Sequence, residues 1–143
     1  EQVMIVPGTD GEKMSKSRNN LLRIFAPEKE LKKEVMGIVT DSTPMEEPKD
    51  PDGNTVYKLF KLVAPADAVA DMAAKFRAGG YGYGHAKKAL LEVLLDGFRN
   101  ERETFDRLMN DPAELERELK RGAEKARVVA ANVLGRTRGK LGY

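Results

Sequence analysis

Apolar side chains spaced three and four residues apart recur from Leu31 almost to the end of the chain, and no other feature narrows the fold so far. That spacing is the repeat of a helix turning one face to a core, and it leaves little room for alternating strands. Leu31, Val35 and Ile38 open the series behind Pro27, whose fixed φ suits the first turn of a helix. Val56, Leu59, Phe60 and Val63 form a second stripe. Val69, Met72, Ala73 and Phe76 form a third, which starts at Pro65 and is ended by Gly79 and Gly80. The longest runs from about His85 to Met109 through Leu90, Val93, Leu94, Gly97, Phe98, Phe105 and Leu108. Asp111-Pro112-x-Glu114 then reads as a cap, a first-turn proline and a reciprocal carboxylate opening the final helix. That helix is expected to turn Leu115, Leu119, Ala123, Ala126, Ala130 and Val133 inward and Arg117, Lys120, Arg121, Lys125 and Arg127 outward.

Two stretches stand outside the pattern. Val3–Val6 reads as a short buried strand halted by Pro7 and Gly8, followed by a loop to Arg18, and Asn19 or Asn20 can cap a short turn carrying Leu21, Leu22, Ile24 and Phe25. Thr40–Asn54 holds three prolines and four acidic residues besides Asp41, too polar to bury and too broken for a helix. The expected fold is therefore mainly α: a helical bundle with an N-terminal strand-and-loop prefix.

Composition removes several chemistries. No cysteine is present, so disulfides, zinc–thiolate sites and cysteine nucleophiles are excluded, and a single histidine leaves little for metal binding. No apolar run approaches a membrane span, and the N-terminus lacks the pattern of a secretory signal, so a cytoplasmic setting and no membrane partner are expected. The chain opens on Glu-Gln-Val with an apolar run at once, which suggests a piece of something longer. The net charge is +2, but residues 72–143 carry fifteen basic against ten acidic side chains. Such a bias permits nucleic-acid contact without demanding it.

The chemistry sits in Gly11–Asn20, GEKMSKSRNN. Lys13 and Lys16 supply positive charge, Ser15 and Ser17 supply hydroxyl donors, and Gly8 and Gly11 let the backbone bend towards a ligand. No acid lies between Glu12 and Glu28 to neutralise the cations. By composition this is either a solvated basic loop or a site for a polyanion such as phosphate. The exact string favours the second, because a specified pentapeptide arises by chance in a chain this long only about once in ten thousand cases or more.

Lys13-Met14-Ser15-Lys16-Ser17 is the signature loop of class I aminoacyl-tRNA synthetases, and much of the remaining chain resembles the bacterial tryptophanyl-tRNA synthetase family. The resemblance is carried by Pro7-Gly8-Thr9-Asp10-Gly11, Ser17-Arg18-Asn19-Asn20, Val39-Thr40-Asp41-Ser42, Tyr83-Gly84-His85-Ala86-Lys87-Lys88 and Gly122-Ala123-Glu124-Lys125-Ala126. It implies that residues 1–26 end a doubly wound nucleotide-binding domain and that 27–143 form a helical anticodon-binding domain. It also implies ATP with magnesium, tryptophan and the tRNA for tryptophan as substrates, and a homodimeric intact enzyme. Lys13, Met14, Ser15, Lys16 and Ser17 would bind ATP, with Lys16 the catalytic cation on the leaving pyrophosphate. Arg117, Lys120, Arg121, Lys125 and Arg127 would meet RNA. The alternatives are a stand-alone helical RNA-binding or scaffold module, or the same region of a tyrosyl-tRNA synthetase, which shares the loop but not the Tyr-Gly-His-x-Lys and Gly-Ala-x-Lys-Ala segments. His85 reads as a capping or packing residue, Lys87 and Lys88 as solvent-facing, and Asp41 and Ser42 as loop caps or supports of the signature segment.

Overall fold

The computed structural model describes residues 5–142, which contain six α-helices and, among the described residues, no β-strand. The helices are α1 (Glu28–Met36), α2 (Thr55–Val63), α3 (Ala66–Ala78), α4 (Tyr83–Gly97), α5 (Arg99–Asn110) and α6 (Pro112–Leu141). They fall into two compact units that divide inside α5, one through Arg102 and one from Glu103. Of the strand expected at Val3–Val6, Val3 and Met4 lie outside the described residues. Val6 contributes one carbonyl, which accepts from the Met14 N–H at 2.9 Å beside an isolated bridge between Pro7 and Lys13.

The first unit is built as the apolar spacing requires. α4 packs on α1 and α2, and α3 on α2. Leu31, Val35, Ile38, Val56, Leu59, Phe60, Met72, Ala73, Phe76, Ala86, Leu90 and Leu94 are buried together. Phe76 is fully buried and takes edge or tilted contacts from Tyr57, Tyr81 and Tyr83 at ring-centroid distances of 6.5, 5.5 and 6.0 Å. Such pairs add to simple burial because ring edges meet ring faces. Pro27 and Pro65 stand just before α1 and α3, and Asn54 caps α2 by accepting the Tyr57 N–H at 3.0 Å.

Thr40–Asn54 is irregular as expected, yet it is not simply a solvated loop. Lys49 is only 5% exposed, and its ammonium donates to the carbonyls of Pro44, Met45 and Glu47 at 2.6, 3.1 and 2.9 Å. Its backbone N–H donates to the Phe76 carbonyl at 2.7 Å, and its Nζ lies 5.5 Å from the centre of the Tyr83 ring. One buried cation thus gathers three carbonyls that the broken backbone leaves without helical partners. Gly79 closes the other side: at φ +77°, a Cβ there would stand 2.4 Å from the Glu46 carbonyl oxygen. Only glycine fits both the backbone angle and the approach.

Two expectations about the C-terminal helices are corrected. The run from His85 to Met109 is not one helix: α4 stops at Gly97 and α5 begins at Arg99, with Phe98 between them at φ −110° and ψ 20°. A one-residue break leaves the apolar spacing almost intact, so periodicity alone does not reveal it. The face of α6 expected to point inward is not buried either. Leu115 is half-buried, Leu119 and Val133 are 64% and 47% exposed, and no described residue of α6 is buried. Spacing specifies a face, whereas burial needs a second surface, and among the described residues of this unit the other element is the end of α5.

The opening of α6 is nearly as expected. Asp111 caps it by accepting the Glu114 N–H at 3.0 Å, with Pro112 in the first turn. Glu114 does not return to the Asp111 N–H, which instead donates to the Arg107 carbonyl, and its carboxylate pairs with the Arg107 side chain. The stronger charge-assisted partner takes the carboxylate away from the box.

The signature loop as a candidate functional site

The segment from Pro7 to Asn20 is folded around one buried side chain. Asn20 is 2% exposed, and its amide spends both ends on the loop. Its carbonyl oxygen accepts the Ser15 N–H at 2.8 Å, while its Nδ2 donates to Asp10 Oδ1 at 2.7 Å and to the Lys13 carbonyl at 3.1 Å. Asp10 in turn accepts the Glu12 N–H at 3.0 Å. The backbone reinforces this ring: Gly8 N–H donates to Glu12 O at 2.7 Å and Thr9 N–H to Asn20 O at 2.9 Å. Asp10 is held below the usual carboxylate range, chiefly by the Asn20 hydrogen bond. Gly8 is required by contact rather than by angle, since a Cβ would meet the Asn20 side chain at 2.4 Å.

This clamp leaves the chemically useful groups outward. Lys13, Lys16 and Ser17 are exposed and Ser15 is half-buried, with the two serine hydroxyls 2.9 Å apart. Met14 is half-buried against the helical core and anchors the loop between the two lysines. Lys16–Arg18 make a single 3-10 turn, closed by Asn19 in the left-handed region at φ 52°. Asparagine tolerates that conformation better than most residues. Among the described residues Lys13 and Lys16 have no ion pair, whereas Arg18 reaches Glu12 at 3.7 Å, so the third cation of the loop is partly neutralised after all. Two exposed ammonium groups and two hydroxyls on a fixed backbone suit a polyphosphate.

A second layer ties the loop to the helices. The Val39 N–H donates to the Thr9 carbonyl at 2.7 Å, so the chain leaving α1 is stitched to the signature segment. Two residues further on, Asp41 accepts the Thr43 N–H at 2.8 Å and the Tyr83 hydroxyl at 2.6 Å. Hydrogen bonds from Thr43 and then Tyr83 hold the Asp41 carboxyl below its ordinary value. Burial, and then that carboxylate, push the Tyr83 phenol above its ordinary value. His85 is exposed and stacks on Tyr81 at 5.8 Å, a packing role. Lys87 departs from its solvent-facing expectation: it is half-buried, donates to the Met36 carbonyl at 3.0 Å, and is held below the usual lysine value by burial. It closes the end of α1, where a cation meets the negative end of the helix dipole.

The five basic residues of α6 lie in the second unit. At 3.6 residues per turn, Arg117, Lys120, Arg121, Lys125 and Arg127 fall within an arc of about 160°, opposite the stripe from Leu115 to Val133. All five are exposed. Lys120, Arg121 and Arg127 pair with Glu116, Glu118 and Glu124 one turn away at 3.0, 3.2 and 2.8 Å, and these contacts are solvated. Among the described residues no helix is long and apolar enough to cross a membrane.

The signature string lies within the part of the chain that a family model matches. A model of the class I tRNA synthetases (W and Y) matches residues 2–99, which is more than half of the chain. The chain belongs to the class I tRNA synthetases of the W and Y type. A tryptophan–tRNA ligase of Rhodopirellula baltica is 48% identical over 137 residues, 96% of this chain and 43% of that protein. The corresponding ligase of Campylobacter jejuni is 40% identical over 142 residues, 99% of this chain and 44% of that protein. The crystal structure of the C. jejuni tryptophanyl-tRNA synthetase complexed with ADP and tryptophan superposes with a TM-score of 0.89 at 40% identity, over all of this chain and 45% of that one. The chain therefore spans under half the length of these class I synthetases.

Asn20, expected only as a possible cap of the turn after it, and Lys49, not singled out at all, are the two organising residues; the Asn20 amide turns back onto Asp10, Lys13 and Ser15. The first stands inside the quoted Ser17-Arg18-Asn19-Asn20 string, which marked a loop but not which asparagine is buried. Nothing local marks the second, a lysine among prolines and acids.

Proposed function

We propose that this chain is the signature-loop and helical portion of a tryptophan–tRNA ligase, the enzyme that activates tryptophan with ATP and transfers it to its cognate tRNA. The observation that carries the reading is the outward pair Lys13 and Lys16 on a backbone pinned from within by Asn20. Residues 1–26 then close the nucleotide-binding domain and 27–143 form the helical domain that meets the tRNA. Magnesium enters with the nucleotide, because that ion is commonly held by substrate phosphates and few protein ligands. The reading makes the intact enzyme a cytoplasmic homodimer with no membrane partner.

The chemistry follows from where charge develops. When the tryptophan carboxylate attacks the α-phosphate, negative charge grows on the departing pyrophosphate. An ammonium that meets that charge as it forms stabilises the transition state more than bound ATP, and so raises turnover rather than affinity alone. Lys16, in the 3-10 turn and free of any ion pair among the described residues, is assigned this role. Lys13 assists at the phosphates, and a lysine suits both positions because its compact charge rides on a flexible stem. Met14 seats the loop, while Ser15 and Ser17 offer hydroxyls to phosphate oxygens. On α6, Arg117, Lys120, Arg121, Lys125 and Arg127 contact tRNA phosphates, which positions the backbone without reading bases.

The test is tryptophan-dependent ATP–pyrophosphate exchange. The parent enzyme that contains this chain shows it with tryptophan and not with tyrosine. The 143-residue chain alone shows none, because the groups that hold adenine and tryptophan belong to the remainder of the enzyme. Exchange driven by tyrosine, or none with either amino acid, overturns the assignment.

A further inference from the structure

Lys13 and Lys16 are three residues apart in a segment with only one turn of 3-10 helix, so something other than secondary structure must fix where they project. Three contacts converge on that task, and all three belong to one amide. Asn20 takes the Ser15 N–H, gives to the Lys13 carbonyl, and gives again to Asp10 on the opposite limb of the loop. The first two bonds fix the peptide groups on either side of Met14, one adjoining Lys13 and the other ending at Ser15, the residue before Lys16. The third ties them to Asp10, whose other bond holds the turn at Glu12. Asn20 is buried, so these bonds exchange poorly with water and are costly to lose.

We propose that Asn20 is a positioning residue for adenylate formation: through Asp10, Ser15 and the Lys13 carbonyl it sets the loop backbone from which the two lysines reach the phosphates. This rests on the ligase reading above and goes beyond it, since Asn20 has no place in phosphate contact itself. Asparagine is chosen over aspartate because the site needs one acceptor and two donors at once, and the second donor faces a carboxylate.

Asn20→Asp in the parent enzyme keeps the shape and inverts that donor. Two carboxylates would then meet at hydrogen-bond distance, and one must hold a proton for the clamp to close. The charged groups around the new acid are Asp10, Glu12, Lys13 and Arg18, with Arg18 favouring the ionised form of Asp10. Tryptophan-dependent pyrophosphate exchange is measured as a ratio to wild type between pH 5.5 and 8, with Asn19→Asp as the charge control. Asn19 is exposed and left-handed, a conformation aspartate also tolerates. At pH 8, Asn20→Asp is expected to lower turnover at least tenfold with a smaller change in KM for ATP, and the deficit narrows to about threefold at pH 5.5. The exchanged pair Asp10→Asn with Asn20→Asp restores a donor opposite the carboxylate and recovers at least threefold at pH 8. A deficit equal to that of Asn19→Asp, one that does not narrow on acidification, or an exchanged pair no better than the single variant overturns the proposal. Absence of exchange in the wild-type parent instead overturns the ligase reading, so the two failures are distinguishable.

Discussion

The segment from Pro7 to Asn54 and the helix α6 are similarly rich in charge, yet they hold themselves together in opposite ways. In the first, polar groups are spent across the sequence: Asn20 on Asp10, Val39 on Thr9, Lys49 on the carbonyls of its own loop, Tyr83 on Asp41. In the second, past the Arg107–Glu114 pair at its start, the ion pairs among the described residues are one turn long, from Lys120 to Glu116, Arg121 to Glu118 and Arg127 to Glu124, and its glycines face open space. Cross-linked loops store their stability in a few irreplaceable residues. A solvated helix spreads it over many replaceable ones, since exposed one-turn pairs contribute only tenths of a kcal/mol each.

The sharpest test of that contrast compares function across the two regions. Lys16→Ala in the parent enzyme is expected to slow adenylate formation by about a hundredfold or more, with a smaller effect on ATP affinity, as loss of a transition-state charge contact does. A pure rise in KM at unchanged turnover, measured by pyrophosphate exchange, removes Lys16 from that role. Next is a substitution whose sign should change with region. Gly79→Ala forces a left-handed angle and a clash with Glu46, at a cost of about 2 kcal/mol in thermal or urea unfolding. Gly122→Ala meets nothing within 4 Å and sits inside α6, so it should raise helix stability by about 0.5–1 kcal/mol. Equal effects would mean that the two regions do not differ as described. Lys49→Met should cost about 1–2 kcal/mol in the same unfolding measurement, because three carbonyls lose their ammonium donor and, among the described residues, only that of Pro44 keeps a backbone one, the Glu47 N–H at 3.3 Å.

How much of this the sequence discloses depends on the range of the physics. Caps and stops are local, and Pro27, Asn54, Pro65, Gly79 and Asp111 stand at the ends of helices, where prolines, caps and glycines belong. The core of the first unit is legible for a related reason, since periodicity chose Leu31, Val35, Phe60, Phe76 and Leu94 without knowledge of their partners. Failures begin where a residue's environment is made by chain distant in sequence. Lys49 looks solvated until Phe76 and Tyr83 arrive beside it, and the apolar stripe of α6 looks buried until a second surface is sought. Glu114 had a good local partner at the cap and a better one in Arg107, so the same carboxylate satisfied two rules and obeyed the stronger. The signature pentapeptide was legible as a string, whereas the Asn20 clamp beneath it was not, because one buried amide among four consecutive polar residues has no pattern of its own.

On α6 the basic arc can be examined without reference to the first unit. If it meets tRNA, binding should weaken steeply with salt, since each phosphate neutralised releases counterions. Replacing Lys120 and Arg121 with glutamine should flatten the log–log slope by about one to two units. Identical salt dependence of chain and double variant, by fluorescence anisotropy with the cognate tRNA, would leave the arc a solvated face.

The smallest effect expected lies where the Tyr83 hydroxyl of α4 reaches Asp41. Asp41 is held below its ordinary value, so its contribution is present above the carboxylate's unfolded pKa and fades as pH falls through the lower folded value, below about 4. Tyr83→Phe removes one of the hydrogen bonds responsible and leaves those from Thr43, the largest cause among them. The Asp41 carboxyl, followed by NMR titration, should move back up towards its ordinary value without reaching it, and the acid edge of stability should shift upward with it. The phenol's own titration runs the other way. Its value is raised, so its contribution is full below the unfolded phenol's value near 10 and is lost as pH rises from there through the higher folded value, a limb that Tyr83→Phe abolishes. Near neutral pH the variant should cost only about 0.5 kcal/mol, because the bond is solvent-exposed and water replaces much of it. An Asp41 titration unchanged by Tyr83→Phe would show that the Thr43 turn alone sets this carboxylate, and that the hydroxyl contributes contact without charge stabilisation.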